Sequence, residues 1–166
     1  PPHSSGVMNL TVTATASENA TTATAGPTAL NVTVSGTATP PTLSASAATG
    51  NEDTTIPLTI NAALADTDGS ETLAIVITGV PAGATLSAGI NNGGGNWSLT
   101  PAQLAGLTMT PPANYSGVFS LTVIAISTEN ATNASAQTTL PVTIVGVADT
   151  PLLSVQAATG NEDTSI

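Results

Sequence analysis

The sequence predicts an all-β chain made of tandem antiparallel β-sandwich repeats of about 110 residues. Three observations predict it. The string AATGNEDT stands at Ala47–Thr54 and again at Ala157–Thr164, 110 residues apart. Apolar and polar residues alternate with the two-residue period of a strand, and no window has a convincing helical period. Turn-forming residues punctuate these runs at short intervals.

Taken in order, Met8, Leu10, Val12 and Ala14 alternate with Asn9, Thr11 and Thr13, as on a half-buried strand. Ile56, Leu58 and Ile60 share one face of a predicted strand, and Leu73, Ile75 and Ile77 share one face of the next. Phe119, Leu121, Val123 and Ala125 repeat the first pattern, and Leu140, Val142 and Ile144 close the unit. Thr and Val are enriched throughout and fit a pleated surface. Turns are expected at Asp68-Gly69, Pro81–Gly83, Asn91–Asn96, Pro111-Pro112 and Ser116-Gly117, where Gly, Pro, Asn and Asp supply the needed backbone angles. Only Thr100–Gly106 offers a helical turn, with Thr100 as N-cap and Pro101 at the first position. About seven short strands without a helix read as an immunoglobulin-like sandwich.

The repeat extends well beyond the shared string. Thr28–Thr54 aligns without a gap on Thr138–Thr164 at offset 110, and Ser5–Thr21 aligns on Ser116–Thr132 at offset 111. One extra residue therefore enters the first copy near Gly26-Pro27. On this alignment residues 1–41 are the back of one repeat, 42–151 a complete repeat, and 152–166 the front of a third. The expectation is a window within a longer array, or a subunit whose loose ends exchange strands with neighbouring copies.

Composition narrows the function. The 166 residues contain no Lys, Arg or Cys, and the formal net charge is −10. Nothing can neutralise phosphates, which excludes nucleic-acid binding and argues against attachment to anionic lipid. The apolar runs are short and broken by Thr and Gly, so membrane insertion is not expected. No signal peptide is read, and a window inside a larger protein would display none. The polar surface is built from Thr, Ser, Asn and Gly, which suits an exported protein.

All ten acidic residues fall in four recurring places: Glu18 and Glu129; Glu52-Asp53 and Glu162-Asp163; Asp66, Asp68 and Glu71; and Asp149. None has a basic partner to pair with. Clustered carboxylates without a cation repel one another unless they are solvated, protonated or bound to a metal. Hard oxygen ligands in loops are what Ca²⁺ takes, and DTDGSE places carboxylates at i, i+2 and i+5 around Gly69. The alternative is that these are solvated turn acids, Asp-Gly being a plain turn signal. An EF-hand is absent, because DTDGSE lacks the later spacing and terminal Glu.

Four phrases, VADTPLLSVQAATGNEDT, LADTDGSETLAIVITGVPAGATLS, LTPAQLAGLTMTPPANYSGVFSLTV and STEN, together resemble the tandem extender repeats of giant bacterial surface adhesins. Those are the cadherin-like or immunoglobulin-like modules of RTX-type biofilm proteins, and the resemblance covers the complete copy and both partial ones. It implies an extracellular, calcium-stiffened stalk on the cell surface. It also implies that Asp149 is a linker ligand and that Glu52 and Asp53, just beyond the junction in sequence, group with loop acids of a neighbouring module. The glycine-rich calcium nonapeptides of RTX β-rolls are absent. Thr39 stands where the later copy has Asp149, so that junction has one ligand fewer.

Asn9, Asn19, Asn31, Asn96, Asn114, Asn130 and Asn133 each begin an N-x-Ser/Thr triplet. Chance in so Thr-rich a chain would give about three or four, so covalent glycans are a second expectation, with composition alone as the alternative. Candidates for catalysis fail. His3 is the single histidine, aligned with Asn114 of the next copy, and cannot anchor a repeated site. Paired carboxylates could hydrolyse glycosides, yet the only aromatics are Trp97, Tyr115 and Phe119, which read as core or corner packing. Asn91–Asn96 is glycine-rich but no Lys follows, so it reads as a hairpin and not a phosphate loop. The expected role is therefore a non-enzymatic structural repeat of an extracellular fibre or stalk, whose partners are neighbouring copies of the same module. The alternatives are a pilus-like filament subunit joined by strand exchange and a carbohydrate-binding module.

Overall fold

The computed structural model describes residues 5–163 and residue 165. It bears out the all-β sandwich. Strands β1 (Gly6–Glu18) and β2 (Thr21–Val34) form a hairpin. They precede a sandwich built from β3 (Thr42–Ala45), β4 (Ala48–Asn51), β5 (Ile56–Pro57), β6 (Ile60–Ala63), β7 (Thr72–Thr78), β8 (Thr85–Leu86), β9 (Ile90–Gly93), β10 (Asn96–Leu99), β11 (Thr108–Thr110), β12 (Gly117–Glu129) and β13 (Thr132–Val145). One 3-10 turn, Pro101–Leu104, is the only helical element among the described residues. It lies where Thr100 and Pro101 predict it, and Gln103 Oε1 accepts the Thr100 backbone N–H at 2.9 Å.

One sheet runs in the order β4-β13-β12-β7-β10-β9, and the other layer consists of β3-β6 and β5-β11-β8. The core lies between them. Ile75, Ile77, Leu121, Val123, Leu140 and Val142 are fully buried from the larger sheet and meet Ile56, Leu107 and Met109 from the other layer. Each such side chain stabilises the fold by about 1.5–3 kcal/mol. Trp97 is buried among them, Tyr115 and Phe119 pack against the edge, and the last two rings meet edge-on at 6.4 Å.

Two details depart from the predicted elements. Ile56, Leu58 and Ile60 are all buried, but they do not share one strand: β5 pairs with β11 and β6 with β3. Pro57 has no N–H to continue a ladder, and the chain passes there from one small sheet of that layer to the other, with the Leu58 N–H donating to Leu107 O at 2.9 Å. The second departure is a parallel pair, β4 with β13, in register Val142↔Ala48. Parallel neighbours need a long connection, and here almost the whole module lies between them.

The turns follow backbone chemistry. At Asn130-Ala131 both residues have positive φ (45° and 64°), and Asn19-Ala20 repeats the pattern at 45° and 68°, the two-residue hairpin turn that matches strand twist. The glycine run closes β9 onto β10 as a hairpin, as expected. Gly95 has φ +77°, and a Cβ there would come within 2.5 Å of Val80 O. Gly95→Ala should therefore destabilise the module by roughly 1–3 kcal/mol, measurable by denaturant titration.

The hairpin β1–β2 repeats β12–β13. Asn9 opposes Asn31 and Leu10 opposes Leu30, as Leu121 opposes Leu140. The extra residue near Gly26-Pro27 appears as a bulge between Val12 and Ala14, which is how an inserted residue is absorbed in a two-stranded ladder. No described residue covers the hairpin, so Val7, Met8, Leu10 and Val12 are exposed. Residues 146–163 contain no strand. Among the described residues no helix is long and apolar enough to cross a membrane.

Candidate metal centre

The long hairpin sets the positions of the acids. Strand β12 starts at Gly117, opposite Ile144, and ends at Glu129, opposite Thr132. At about 3.3 Å per residue it spans roughly 40 Å, so the module has an entry end at the Asn130-Ala131 turn and an exit end where β13 finishes.

Three carboxylates meet at the entry end. Asp66 lies in the β6–β7 loop, Glu71 immediately before β7, and Glu129 at the end of β12, paired beside β7 through Thr128↔Thr72. One oxygen from each lies within 4.8 Å of the others. The side chains are buried, at 5%, 7% and 3% exposure. Asp66 Oδ1 accepts the Asp68 N–H at 3.1 Å. Glu129 Oε1 accepts the Ser5 hydroxyl at 2.9 Å, and Glu71 Oε1 accepts the Thr39 N–H in a short hydrogen bond. Glu71 Oε2 is buried with no hydrogen-bond partner.

The segment joining β2 to β3 crosses this cluster. The Ala38 N–H donates to Thr132 Oγ1 at 2.8 Å, and Ser127 Oγ donates to Thr39 O at 2.5 Å. Gly36 lies so close to Glu129 that a Cβ would fall 1.7 Å from Oε1. The carboxylates are thus enclosed by their own module and by the linker from the hairpin before it.

The donor set suits a hard divalent cation. All ligand atoms are carboxylate oxygens, the class that selects Ca²⁺ or Mg²⁺ over softer metals. Each pair of ionised carboxylates at this separation repels by roughly 3 kcal/mol at an effective dielectric near 20, and the chain has no Lys or Arg to offset it. A bound cation would offset all three contacts and give Glu71 Oε2 a partner.

Glu52 and Asp53 lie elsewhere. They stand just beyond a junction in sequence but at the exit end in space, because β4 runs parallel to β13 and finishes beside Val145. Glu52 is buried, its N–H donates to Val145 O at 2.9 Å, and its Oε1 accepts the Val147 N–H at 2.6 Å. Asp53 is exposed, adopts φ 59°, and accepts the Asn114 N–H at 3.0 Å. Gly146 stands where Gly36 stands one repeat earlier; a Cβ on it would lie 3.4 Å from Ser116 Oγ and 3.6 Å from Glu52 Oε1. Asp68, Glu18, Asp149, Glu162 and Asp163 are exposed. Asp68 Oδ1 accepts from Ser70 at its backbone N–H, 2.8 Å, and at its hydroxyl, 2.5 Å.

All seven sequon asparagines are exposed: Asn9, Asn19, Asn31, Asn96, Asn114, Asn130 and Asn133. Asn19 and Asn130 occupy the hairpin tips. His3 lies outside the described residues. The sequence marked position 39 as a junction position through its alignment with Asp149, but gave no role to Ser5, Gly36, Ser127 or Thr132. Ser5, Gly36 and Thr132 left a signal, their recurrence as Ser116, Gly146 and Thr21 in the other copy. A scan against protein-family models finds no match, and a search of the curated proteins finds none that is significant.

Proposed function

We propose that the chain is a structural repeat of a long extracellular fibre or adhesin stalk, stiffened by Ca²⁺ at its module junctions and coated with glycans on its exposed sequons. Residues 1–41, 42–151 and 152–166 then belong to three successive modules, each in contact with its sequence neighbours. The observation that carries this reading is the buried Asp66–Glu71–Glu129 set, enclosed by the incoming linker, with one oxygen unpartnered.

The two ends of the module support the junction role. Gly36 and Ser5 touch Glu129 at the entry end. Their repeat counterparts, Gly146 and Ser116, lie beside Glu52 at the exit end. Placing one junction on the other brings a Glu52-type carboxylate of one module to the Glu129-type carboxylate of the next. Asp66, Glu71 and Glu129 would hold the cation, and the counterpart of Glu52 in the preceding module would add a further carboxylate to its shell. Six to eight oxygens are what Ca²⁺ requires. Bridging by a cation would replace a free hinge with a fixed one.

Small-angle scattering or electron microscopy of the native array, with calcium and with chelator, tests the reading. A longer persistence length in calcium is expected, with the sandwiches folded in both conditions. The same contour and persistence length in both would defeat it.

A further inference from the structure

We propose that position 39, and its repeat counterpart 149, sets how tightly each junction holds its cation, so that successive junctions differ in calcium affinity. The inference rests on the calcium reading above and concerns its grading along the chain.

Thr39 is held against the carboxylate cluster by both sides of its backbone. Its N–H donates to Glu71 Oε1, and its carbonyl accepts from Ser127 Oγ at 2.5 Å. Ser127 is fully buried, so this stretch of linker is anchored to the module interior. A side chain leaving that backbone starts within a few bonds of Glu71, whose second oxygen is buried and unpartnered. Thr at this place offers a neutral hydroxyl. In the following repeat the aligned residue is Asp149, which offers a carboxylate. The junction after residue 39 therefore presents the three carboxylates of the cluster from this side, and the next presents one more.

Calcium affinity rises with the number of charged ligands. Without the ion, each added carboxylate adds repulsion to a site with no cationic side chain. A residue of this kind acts in opposite directions with and without calcium, which a purely structural linker residue would not do. The Thr39 junction would lose its ion first as calcium falls and act as the flexible point, while the Asp149 type stays rigid.

The test uses the whole 166-residue chain, stripped of metal, titrated with CaCl₂ in a calorimeter, and melted in calcium and in chelator. Thr39→Asp should bind calcium roughly tenfold more tightly than the parent. It should melt lower than the parent in chelator and higher in calcium. Thr39→Asn, which keeps a neutral oxygen ligand, should stay within about threefold of the parent. If Thr39→Asp unfolds in chelator, competition against a calibrated chelator, starting from calcium-loaded protein, reads the same ratio. A parent that binds while Thr39→Asp binds no tighter overturns the grading and leaves the calcium reading standing. A parent that takes up no calcium at about 10 mM, above the range of extracellular modules, overturns both.

Discussion

Saturating calcium should raise the melting temperature of the complete module by about 10 °C or more, and Glu71→Gln should abolish the increase. A ligand at a hundred times its Kd stabilises the folded state by about 2.7 kcal/mol. For a domain near 100 residues each kcal/mol moves the transition by roughly 4–8 °C. Glu71 is the residue to change because its Oε2 is buried without a partner, while Oε1 is held by the linker at Thr39. The amide removes one negative charge from three that lie within 4.8 Å. In chelator the variant should therefore melt higher than the parent; in calcium it should melt lower. Scanning calorimetry of both proteins in both buffers reads this crossing directly. Parallel shifts of the two proteins would mean that the carboxylates bind no ion and that Glu71 is merely a buried polar residue.

Much of the fold was legible because the chain is locally consistent. Leu73, Ile75 and Ile77 alternate in the sequence and line β7 with Ile75 and Ile77 fully buried. Thr100-Pro101 announces the 3-10 turn, and NNGGGN announces the β9–β10 hairpin. What was not legible depends on partners distant in sequence. The splitting of Ile56–Ile60 between two sheets follows from pairing with β11 and β3, although Pro57 was a local hint. The parallel β4–β13 pair joins residues nearly a hundred positions apart, and no local pattern encodes that.

The site was legible as an inventory and not as an arrangement. The sequence grouped Asp66, Asp68 and Glu71 by proximity, but folding separates them: Asp66 and Glu71 turn inward and Asp68 stays exposed. Glu129 joins them only because β12 pairs with β7. Glu52 is removed to the opposite end by the direction of β4. The backbone donors of the linker carry no sequence signature, since any residue but proline supplies an N–H.

Leu121→Ala should destabilise the module by about 2–5 kcal/mol, whereas Leu10→Ala in the same chain should cost less than about 0.5 kcal/mol. The two leucines are equivalent residues of the repeat, in SGVMNL and SGVFSL, and both sit in the first strand of a long hairpin. Their surroundings differ. Leu121 has no exposure, between the facing layers of a closed core, while Leu10 is 47% exposed on a hairpin that no described residue covers. The cost of truncating a core leucine combines lost transfer energy with the cavity left behind, and Leu10 leaves no cavity. Urea unfolding followed by Trp97 fluorescence reads the complete module, since Trp97 is its only tryptophan and is buried in that core. Equal losses from the two variants would mean that hairpin and module unfold as one unit. That would require contacts across residues 35–41 well beyond the few hydrogen bonds made by Ser5, Ala38 and Thr39. Unequal losses, with calcium narrowing the gap, would place the coupling between successive modules in the ion and its ligands.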